Sequence, residues 1–326
     1  MNLEDKVLQL LEENKDKYFS GEQLALTFDV SRNAVWKAIN CLKTKGHEVA
    51  TSPKLGYCLS GKSQVVTEFC IEKYLSNKGF FDVEVRQQVS STNTLLKAAA
   101  VDGERQGKVV VALSQTAGRG RQNRSFYSPS NCGIYFSVLL RPTLPIEDCG
   151  NLTALAGVAV AENIEKFVDK PVGIKWVNDI ILDNKKLCGI LTEAEIDVEV
   201  GAYKYVVVGI GINLKTPSGG YGELKDIATS VFGEAKYVSD DVGKLVAGIL
   251  DSIYESYQKL PNKDFIKRYQ CRQVLVGEKV ELLRCDEPYA RGKVLEVDDN
   301  CGLVVKLDDG EIKTLSSGEA KVIRRL

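Results

Sequence analysis

The sequence predicts an α+β protein in three parts: a small helical unit closed by a hairpin, a mixed but mainly antiparallel sheet with helices, and a small β-barrel. Three observations carry this. Residues 1–62 place apolar residues at helical spacing behind helix-start signals. Between 63 and 270, apolar strands alternate with helical patterns. Residues 271–326 hold only short strands separated by turn signals.

In the first part, Leu3, Val7, Leu10 and Leu11 form a helical stripe. Ser20 and Gln23 stand at capping-box spacing and open a second helix through Leu24 and Leu26. After the break at Phe28-Asp29-Val30, Ser31 caps a third helix with Val35, Ile39 and Leu42 on one face, ending near Gly46. Residues 46–59 read as two short strands around Ser52-Pro53-Lys54-Leu55-Gly56. Two helices joined by a tight turn and followed by a hairpin make a winged helix-turn-helix. Residues 1–60 are neutral, with eight Lys/Arg against eight Asp/Glu, yet between Ser31 and Lys54 five basic residues face only Glu48. The basic charge thus sits on the recognition helix and wing, where phosphates would lie. Ser31, Arg32, Asn33, Trp36, Lys37 and Lys54 are the candidate DNA contacts; a helical protein-interaction module is the alternative. A few phosphate contacts bind weakly and salt-sensitively, so a homodimer spanning two half-sites is expected.

In the second part, a strand at 81–89 precedes a helix capped by Ser91-Thr92-Asn93 and running through Leu95, Leu96 and Ala100. Strands follow at 109–113 and 134–140. Residues 151–168 read as an amphipathic helix burying Leu152, Leu155, Val158, Ala159 and Ile164. Strands at 171–177, 180–182, 187–192 and 205–212 come next, the middle two joined by Asp183-Asn184 as an antiparallel hairpin. Helices at 242–257 and 265–269 complete a layer expected to carry its helices on one face. In the third part, five short strands (279–284, 291–297, 303–307, 312–315, 321–323) suggest a small closed barrel.

With 326 residues the chain exceeds the size of one core, and 44% apolar with 27% charged residues is ordinary for a globular protein. A net charge of -1 provides no global basic field. No apolar run is long enough to span a bilayer and the polar start is no signal peptide, so a cytoplasmic protein without membrane contact is expected. The nine cysteines (41, 58, 70, 132, 149, 188, 271, 285, 301) form no CxxC clip and suit free thiols. A single histidine, His47, excludes a zinc site with two His ligands and argues against a histidine base. Chemistry must then lean on charge stabilisation and positioning.

The segment 115–124, Gln-Thr-Ala-Gly-Arg-Gly-Arg-Gln-Asn-Arg, sits between two apolar strands with three arginines in six positions. Guanidinium groups grip carboxylate or phosphate oxygens in a planar fork, and glycine allows close backbone approach. Such a loop suits closure over an anion; a solvated basic turn is the alternative. Lys175-Trp176-Val177-Asn178-Asp179 ends a strand with an amide and a carboxylate, a pair able to meet a base edge and a phosphate-bound cation, although read alone an Asx turn closing a hairpin is the favoured account. Lys186 stands at the mouth of the strand Leu187-Cys188-Gly189-Ile190-Leu191, where it could neutralise a reacting phosphate or point into water. Val208-Gly209-Ile210-Gly211-Ile212-Asn213 lacks the third glycine of a dinucleotide fingerprint; its two glycines suggest a flat ligand against the sheet.

Together these segments resemble the bifunctional biotin protein ligases that also act as biotin operon repressors. Ser-Thr-Asn, Gly-Arg-Gly-Arg, Lys-Trp-x-Asn-Asp, Lys-Leu-x-Gly-Ile-Leu and Gly-x-Gly-x-Asn occur in that family's order. The resemblance implies a DNA-binding domain over 1–62, a class II aminoacyl-tRNA synthetase-like ligase domain over 63–270 and an SH3-like barrel over 271–326. It implies a ligase that uses ATP and Mg²⁺ to convert biotin to biotinyl-5'-AMP, then biotinylates a lysine of a biotin carboxyl carrier protein. The adenylate would serve as corepressor of an operator-binding dimer. Ser91, Thr92, Asn93, Gln115, Gly118, Arg119, Gly120, Arg121, Lys186, Gly189, Gly209 and Gly211 would line the biotin site. Arg124, Phe126, Asn178, Asp179 and Asn213 would hold the nucleotide, with Asp179 and Asn213 near the metal through its phosphates. Lys186 and Arg121 would be the catalytic cations. The chain departs from the family at Val177, where proline is usual, at Asn123-Arg124-Ser125-Phe126, where an Arg-Lys-Trp run is usual, and at Cys188, often alanine. A lipoate-type ligase and a ligand-sensing regulator without catalysis are the rival readings.

Overall fold

The computed structural model describes residues 1–146, 151–284 and 287–323. The expected free thiols Cys149 and Cys285 lie outside the described residues. The chain divides into two compact units, residues 1–78 with 236–248, and residues 79–235 with 249–326.

The first unit contains α1 (Leu3–Glu13), α2 (Gly21–Phe28), α3 (Arg32–Thr44), the hairpin β1 (Val49–Ser52) and β2 (Gly56–Leu59), and the short α4 (Glu68–Glu72). Each helix begins where the sequence places a cap. Ser20 Oγ accepts from the Gln23 amide while Gln23 returns a bond to the Ser20 amide, and Ser31 Oγ accepts from the Ala34 amide. Val7, Leu11, Leu24, Val35, Ile39, Leu42 and Leu59 form the core. Arg32, Asn33, Trp36, Lys37 and Lys54 remain exposed, Trp36 at 54%. His47 is buried, and burial pushes its imidazole down.

The same unit holds a charge cluster at the start of α7 (Ser239–Gln258), a helix within which the division between units falls. Lys15 Nζ lies 2.9 Å from both Glu12 and Asp240 carboxylates, and Lys73 Nζ lies 2.8 Å from Asp240. Burial raises the Glu12 carboxyl, with Asp240 adding to the rise.

In the second unit the sheet order is β3 (Asp82–Arg86), β4 (Lys108–Ala112), β5 (Gly133–Leu140), β9 (Ala202–Asn213), β8 (Lys185–Asp197), β7 (Asp179–Leu182), β6 (Gly173–Lys175). Only β3 and β4 pair in parallel. The β7–β8 turn is the expected one, with Asp183 and Asn184 both at positive φ (51° and 61°), the twist that a two-residue hairpin requires.

Two expectations for this layer are corrected. The helices do not share one face. α5 (Thr92–Val101) packs Leu96 and Ala100 on Val110, Leu139 and Val207, whereas α6 (Leu152–Ile164) lies by Ile174 and Ile190. Side chains alternate along a strand, and Ile190 pairs with Ile210, while Leu191 pairs with Gly209 on the α5 side. α6 is also not amphipathic: Leu152, Ala154–Ala161, Asn163 and Ile164 are all buried. It meets the sheet and α8 (Phe265–Cys271) at Gly157, beside Ile174, Ile190 and Tyr269, and α7 through Asn163 Nδ2 donating to Ser252 Oγ at 2.9 Å.

The last five strands, β10 (Lys279–Arg284), β11 (Glu287–Val297), β12 (Leu303–Leu307), β13 (Ile312–Leu315) and β14 (Glu319–Val322), form an antiparallel sheet in the order β13-β12-β11-β10-β14. Bulges between Leu282 and Leu283 and between Val294 and Glu296 bend it. It is joined to the larger sheet by Trp176 Nε1 donating to Cys301 O at 2.8 Å.

The charge cluster gives a pH prediction. Burial pushes the Asp240 carboxyl up, but Lys15 and Lys73 outweigh it and hold it below its ordinary 3.8. A carboxyl lowered in the fold stabilises it above the unfolded value, and the gain disappears as pH falls through the lowered value. Asp240→Asn is expected to destabilise the fold by about 1–3 kcal/mol at neutral pH. Glu12, raised in the fold, contributes in the opposite sense and is present in both proteins. Thermal unfolding should show the gap between natural chain and variant closing as pH drops below 3.8.

Candidate functional site

A cavity open to solvent lies on the α5 side of the large sheet. Its floor is the run of Gly189, Gly209 and Gly211 on β8 and β9, where Gly189 and Gly211 are paired across the strands. The sequence suggests a flat ligand against Gly209 and Gly211; an amide and an aromatic ring rest on them in this structure. The Asn93 carboxamide covers Gly209, and a Cβ at that glycine would overlap it. The Phe126 ring covers the other two, 2.8 Å and 2.7 Å from where Cβ atoms of Gly189 and Gly211 would stand.

One end is built from the start of α5. Ser91 caps the helix, accepting from the Thr94 amide at 3.4 Å, which presents Thr92 and Asn93 in the first turn. Thr92 N donates to Gln115 Oε1 at 2.9 Å, and Gln115 Nε2 donates to Ser128 Oγ at 3.2 Å. Asn93 Nδ2 donates to Leu191 O at 3.1 Å and Glu193 Oε2 at 2.9 Å, while Asn93 Oδ1 accepts from Ser137 at 2.6 Å. Burial pushes the Glu193 carboxyl up, but Lys97, Asn93 and Arg119 outweigh it and hold it below the usual carboxylate value.

The glycine-arginine loop forms the rim. It folds back on itself through Phe126 N to Gly118 O (2.9 Å) and Gly120 N to Arg124 O (2.7 Å), with Gln122 at φ 54°. Gly118 does not line the cavity; it packs beneath the loop, where a Cβ would stand 2.6 Å from Ser128 Oγ. Arg119, Gly120, Arg121 and Arg124 do line it. Arg121 Nη1 donates to Gly318 O at 3.3 Å and lies 3.5 Å from Asn178 Oδ1, and Arg124 pairs with Glu319 at 2.6 Å. Burial pushes the Glu319 carboxyl up, yet Arg124, Lys175 and Lys186 together hold it low.

At the other end Asn178 and Asp179 stand at the β6–β7 turn. Asn178 Nδ2 donates to Ile190 O at 2.6 Å, and Asp179 pairs with Lys186 Nζ at 2.6 Å. The Trp176–Val177 peptide, at the departure from the family's proline, is cis. Lys186 owes its direction to a bulge. Ile180 pairs with Cys188 but Ile181 pairs with Lys186, so Leu187 is an extra residue that reverses the alternation. Lys186 therefore shares the Gly189 face, with its Nζ 5.8 Å from the Phe126 ring centroid. Cys188 points the other way, fully buried, and burial pushes its thiol up, consistent with packing rather than nucleophilic chemistry.

Asn213 stands apart from this cavity. It lines an adjoining, more apolar one with Phe126, Tyr127, Lys186, Tyr221, Leu224 and Ile227, and its Nδ2 donates to Thr229 O at 2.9 Å. Phe126 and Lys186 line both cavities. Among the described residues no three His, Cys, Asp or Glu side chains gather as a metal site. Lys175 and Gln122 line the cavity from within the motif segments, whereas Gly318 and Glu319 line it, and Ser137 and Glu193 hold Asn93, from outside them. Ser137 was findable, as the one polar residue of Ile134–Leu140. Glu319 had no local signal, because only tertiary folding brings it to the loop.

Five cations (Arg119, Arg121, Arg124, Lys175, Lys186) against two carboxylates (Asp179, Glu319) make this a site for an anionic ligand. A model of the biotin/lipoate A/B protein ligase family matches residues 85–213, a helix-turn-helix model matches 4–58, and a biotin protein ligase C-terminal domain model matches 275–321. The chain is 33% identical over 331 residues to the bifunctional ligase/repressor BirA of Bacillus spizizenii, covering 98% of each. It is 32% identical over 198 residues to that of Escherichia coli, covering 61% of this chain and 60% of the other. The structure is similar to the biotin protein ligase from Aquifex aeolicus in complex with biotin and ATP, with a TM-score of 0.60 and 28% identity, covering 75% of this chain and 99% of that one. The chain belongs to the family of bifunctional biotin ligase/repressors.

Gly209→Ala forces the Asn93 carboxamide aside. A loss of about 1–3 kcal/mol in thermal unfolding is expected, since overpacking cannot be relieved within a paired strand.

Proposed function

We propose that this protein is a biotin protein ligase that activates biotin with ATP and transfers it to a lysine of a biotin carboxyl carrier protein, and that it represses transcription as an operator-bound homodimer when biotinyl-5'-AMP occupies the site. The single observation that carries the reading is the gathering of Lys186 and the loop arginines over a glycine-floored cavity whose far end is a buried polar pocket.

In the first step a biotin carboxylate oxygen bonds to the α-phosphorus of ATP while the bond to the pyrophosphate oxygen breaks. In the second a carrier lysine amine attacks the acyl carbon, and AMP leaves with the electron pair. Both steps build negative charge on oxygen. Lys186 and Arg121 stabilise it as preorganised cations in a low-dielectric site. The polar pocket of Ser91, Thr92, Asn93 and Gln115 takes the biotin ring system, with Arg119, Gly120, Gly189, Gly209 and Gly211 around the chain and carboxylate and Gly118 supporting the loop from below. Arg124, Phe126, Asn178, Asp179 and Asn213 face the nucleotide across the two adjoining cavities. Mg²⁺ would enter as the companion of substrate ATP: one or two carboxylates plus phosphates suffice to hold it, and Asp179, one of the two carboxylates that line the cavity, would be the one to do so. The loop keeps water from the mixed anhydride.

For DNA, Ser31, Arg32, Asn33, Trp36, Lys37 and Lys54 present an exposed basic face on α3 and the wing. No helix of the described residues is long and apolar enough to cross a membrane; the cytoplasm is the compartment that offers ATP, carrier and operator.

Incubating the full chain with ATP, labelled biotin and a carrier domain should transfer label only when all three are present. Binding without transfer would mean a sensor, and transfer of lipoate in preference to biotin would mean a lipoate-type ligase. Lys186→Ala should slow pyrophosphate release by about 10²–10³-fold, and Arg121→Gly should impair adenylate formation or retention, both with unchanged unfolding; unaltered turnover refutes the assignment. Lys37→Ala should lower the slope of log affinity against log salt for operator DNA by about 1, and an unchanged slope removes that contact.

A further inference from the structure

The register of the large sheet lines up four cavity residues in one row across its strands. Gly211 on β9 stands opposite Gly189 on β8, Gly189 opposite Asp179 on β7, and Asp179 opposite Lys175 on β6. Residues directly opposite in antiparallel strands share a face, and all four line the cavity. The row therefore runs from beside the polar pocket, over the glycine floor, to the last strand of the sheet. Lys186 meets this row at Gly189, where a Cβ would stand 3.4 Å from its Nζ. Lys175 lies two strands further out, roughly 10 Å along the row.

Lys175 also differs from the other cations of the cavity in what holds it. Lys186 is paired with Asp179 and Arg124 with Glu319, each at 2.6 Å, and Arg119 lies 3.9 Å from Glu193. Arg121 donates to Gly318 O. The Lys175 ammonium makes no hydrogen bond or ion pair among the described residues, although it is half-buried and directly opposite a carboxylate. That carboxylate, Asp179, is taken by Lys186. An ammonium drawn partly out of water without a counterion is a ready partner for an anionic ligand.

We propose that Lys175 is a further catalytic cation, which holds the β- and γ-phosphates of ATP and stabilises the departing pyrophosphate. This deepens the ligase reading and rests on it. In adenylate formation a biotin carboxylate oxygen bonds to the α-phosphorus, the bond from that phosphorus to the bridging oxygen breaks, and the electron pair leaves on pyrophosphate. With the α-phosphate beside Lys186, the outer phosphates extend along the row toward the sheet edge, within reach of the long Lys175 side chain. The charge that develops there does so only as pyrophosphate departs, so a cation fixed at that place favours the transition state. Transfer to the carrier lysine expels AMP, which has no outer phosphates, and Lys175 has no part in it. Lys186 and Arg121, at the α-phosphate, act in both steps.

The test measures the two steps apart in the full chain: exchange of labelled pyrophosphate into ATP in the presence of biotin, and transfer from supplied biotinyl-5'-AMP to a carrier domain. Lys175→Met keeps the stem and removes the charge. It should slow exchange about 10²-fold while transfer stays close to that of the natural chain, and Lys175→Arg should recover most of the exchange. Lys186→Ala, by contrast, should slow both steps. A second measurement needs no variant and stays decisive if Lys175→Met unfolds. Pyrophosphate added to the natural chain should shield Lys175 from amine acetylation, read by mass spectrometry, whereas AMP should not, with the exposed Lys279 labelled equally throughout. Equal slowing of both steps, undiminished exchange in folded Lys175→Met, or labelling of Lys175 that pyrophosphate leaves unchanged overturns the proposal. A natural chain that exchanges no pyrophosphate when given biotin and ATP overturns the ligase reading instead.

Discussion

Three glycines on one face of two paired strands leave a strip of sheet without side chains, and the site depends on that strip. Because Gly189, Gly209 and Gly211 carry no Cβ, the Asn93 amide and the Phe126 ring can rest directly on the backbone. A side chain at any of them would lift one of those groups by the thickness of a methyl. The strip also explains the layering of the fold. The α6 face of the same strands is mostly apolar, with Ile190, Val208, Ile210 and Ile212 buried beneath a helix that is itself almost wholly buried. A rigid, two-sided support of this kind holds a polar site in place better than a sheet with one solvated face.

Above the strip, charge is arranged by pairing rather than by burial alone. Lys186 rests on Asp179, Arg124 on Glu319, and Lys97 on Glu193. Each cation therefore has a fixed partner before any ligand arrives, so that little reorganisation is needed when an anion takes its place. The pairing with Glu319, and the Arg121 bond to Gly318 O, draw the C-terminal sheet into the catalytic unit. The last strand is thus a supporting wall of the loop as well as a part of its own sheet.

Motifs in the family's order, Ser-Thr-Asn, Gly-Arg-Gly-Arg, Lys-Trp-x-Asn-Asp and Lys-Leu-x-Gly-Ile, converge on one cavity, although 95 residues separate Ser91 from Lys186 in the chain. Asn213 and Gly118 show the limit of reading by motif. The first belongs to the adjoining cavity and the second supports the loop from beneath. A motif says which residues are kept together in sequence, but the alternation and bulges of strands decide which of them face the same space.

By itself the sequence determined what depends on neighbours along the chain. The caps at Ser20, Ser31 and Ser91, the Asp183-Asn184 turn and the strand and helix periods all follow from backbone propensity over a few residues. Tertiary structure decided what depends on partners distant in the chain. It placed helices on both faces of the sheet and buried nearly all of α6, since both results depend on partners far away in the chain. It also turned Lys186 onto the glycine face through one extra residue at Leu187, and it set Glu193 and Ser137 against Asn93. The physical reason is the same in each case: a side chain's direction is a local property, but the groups it meets are supplied by strands and helices that only folding brings beside it.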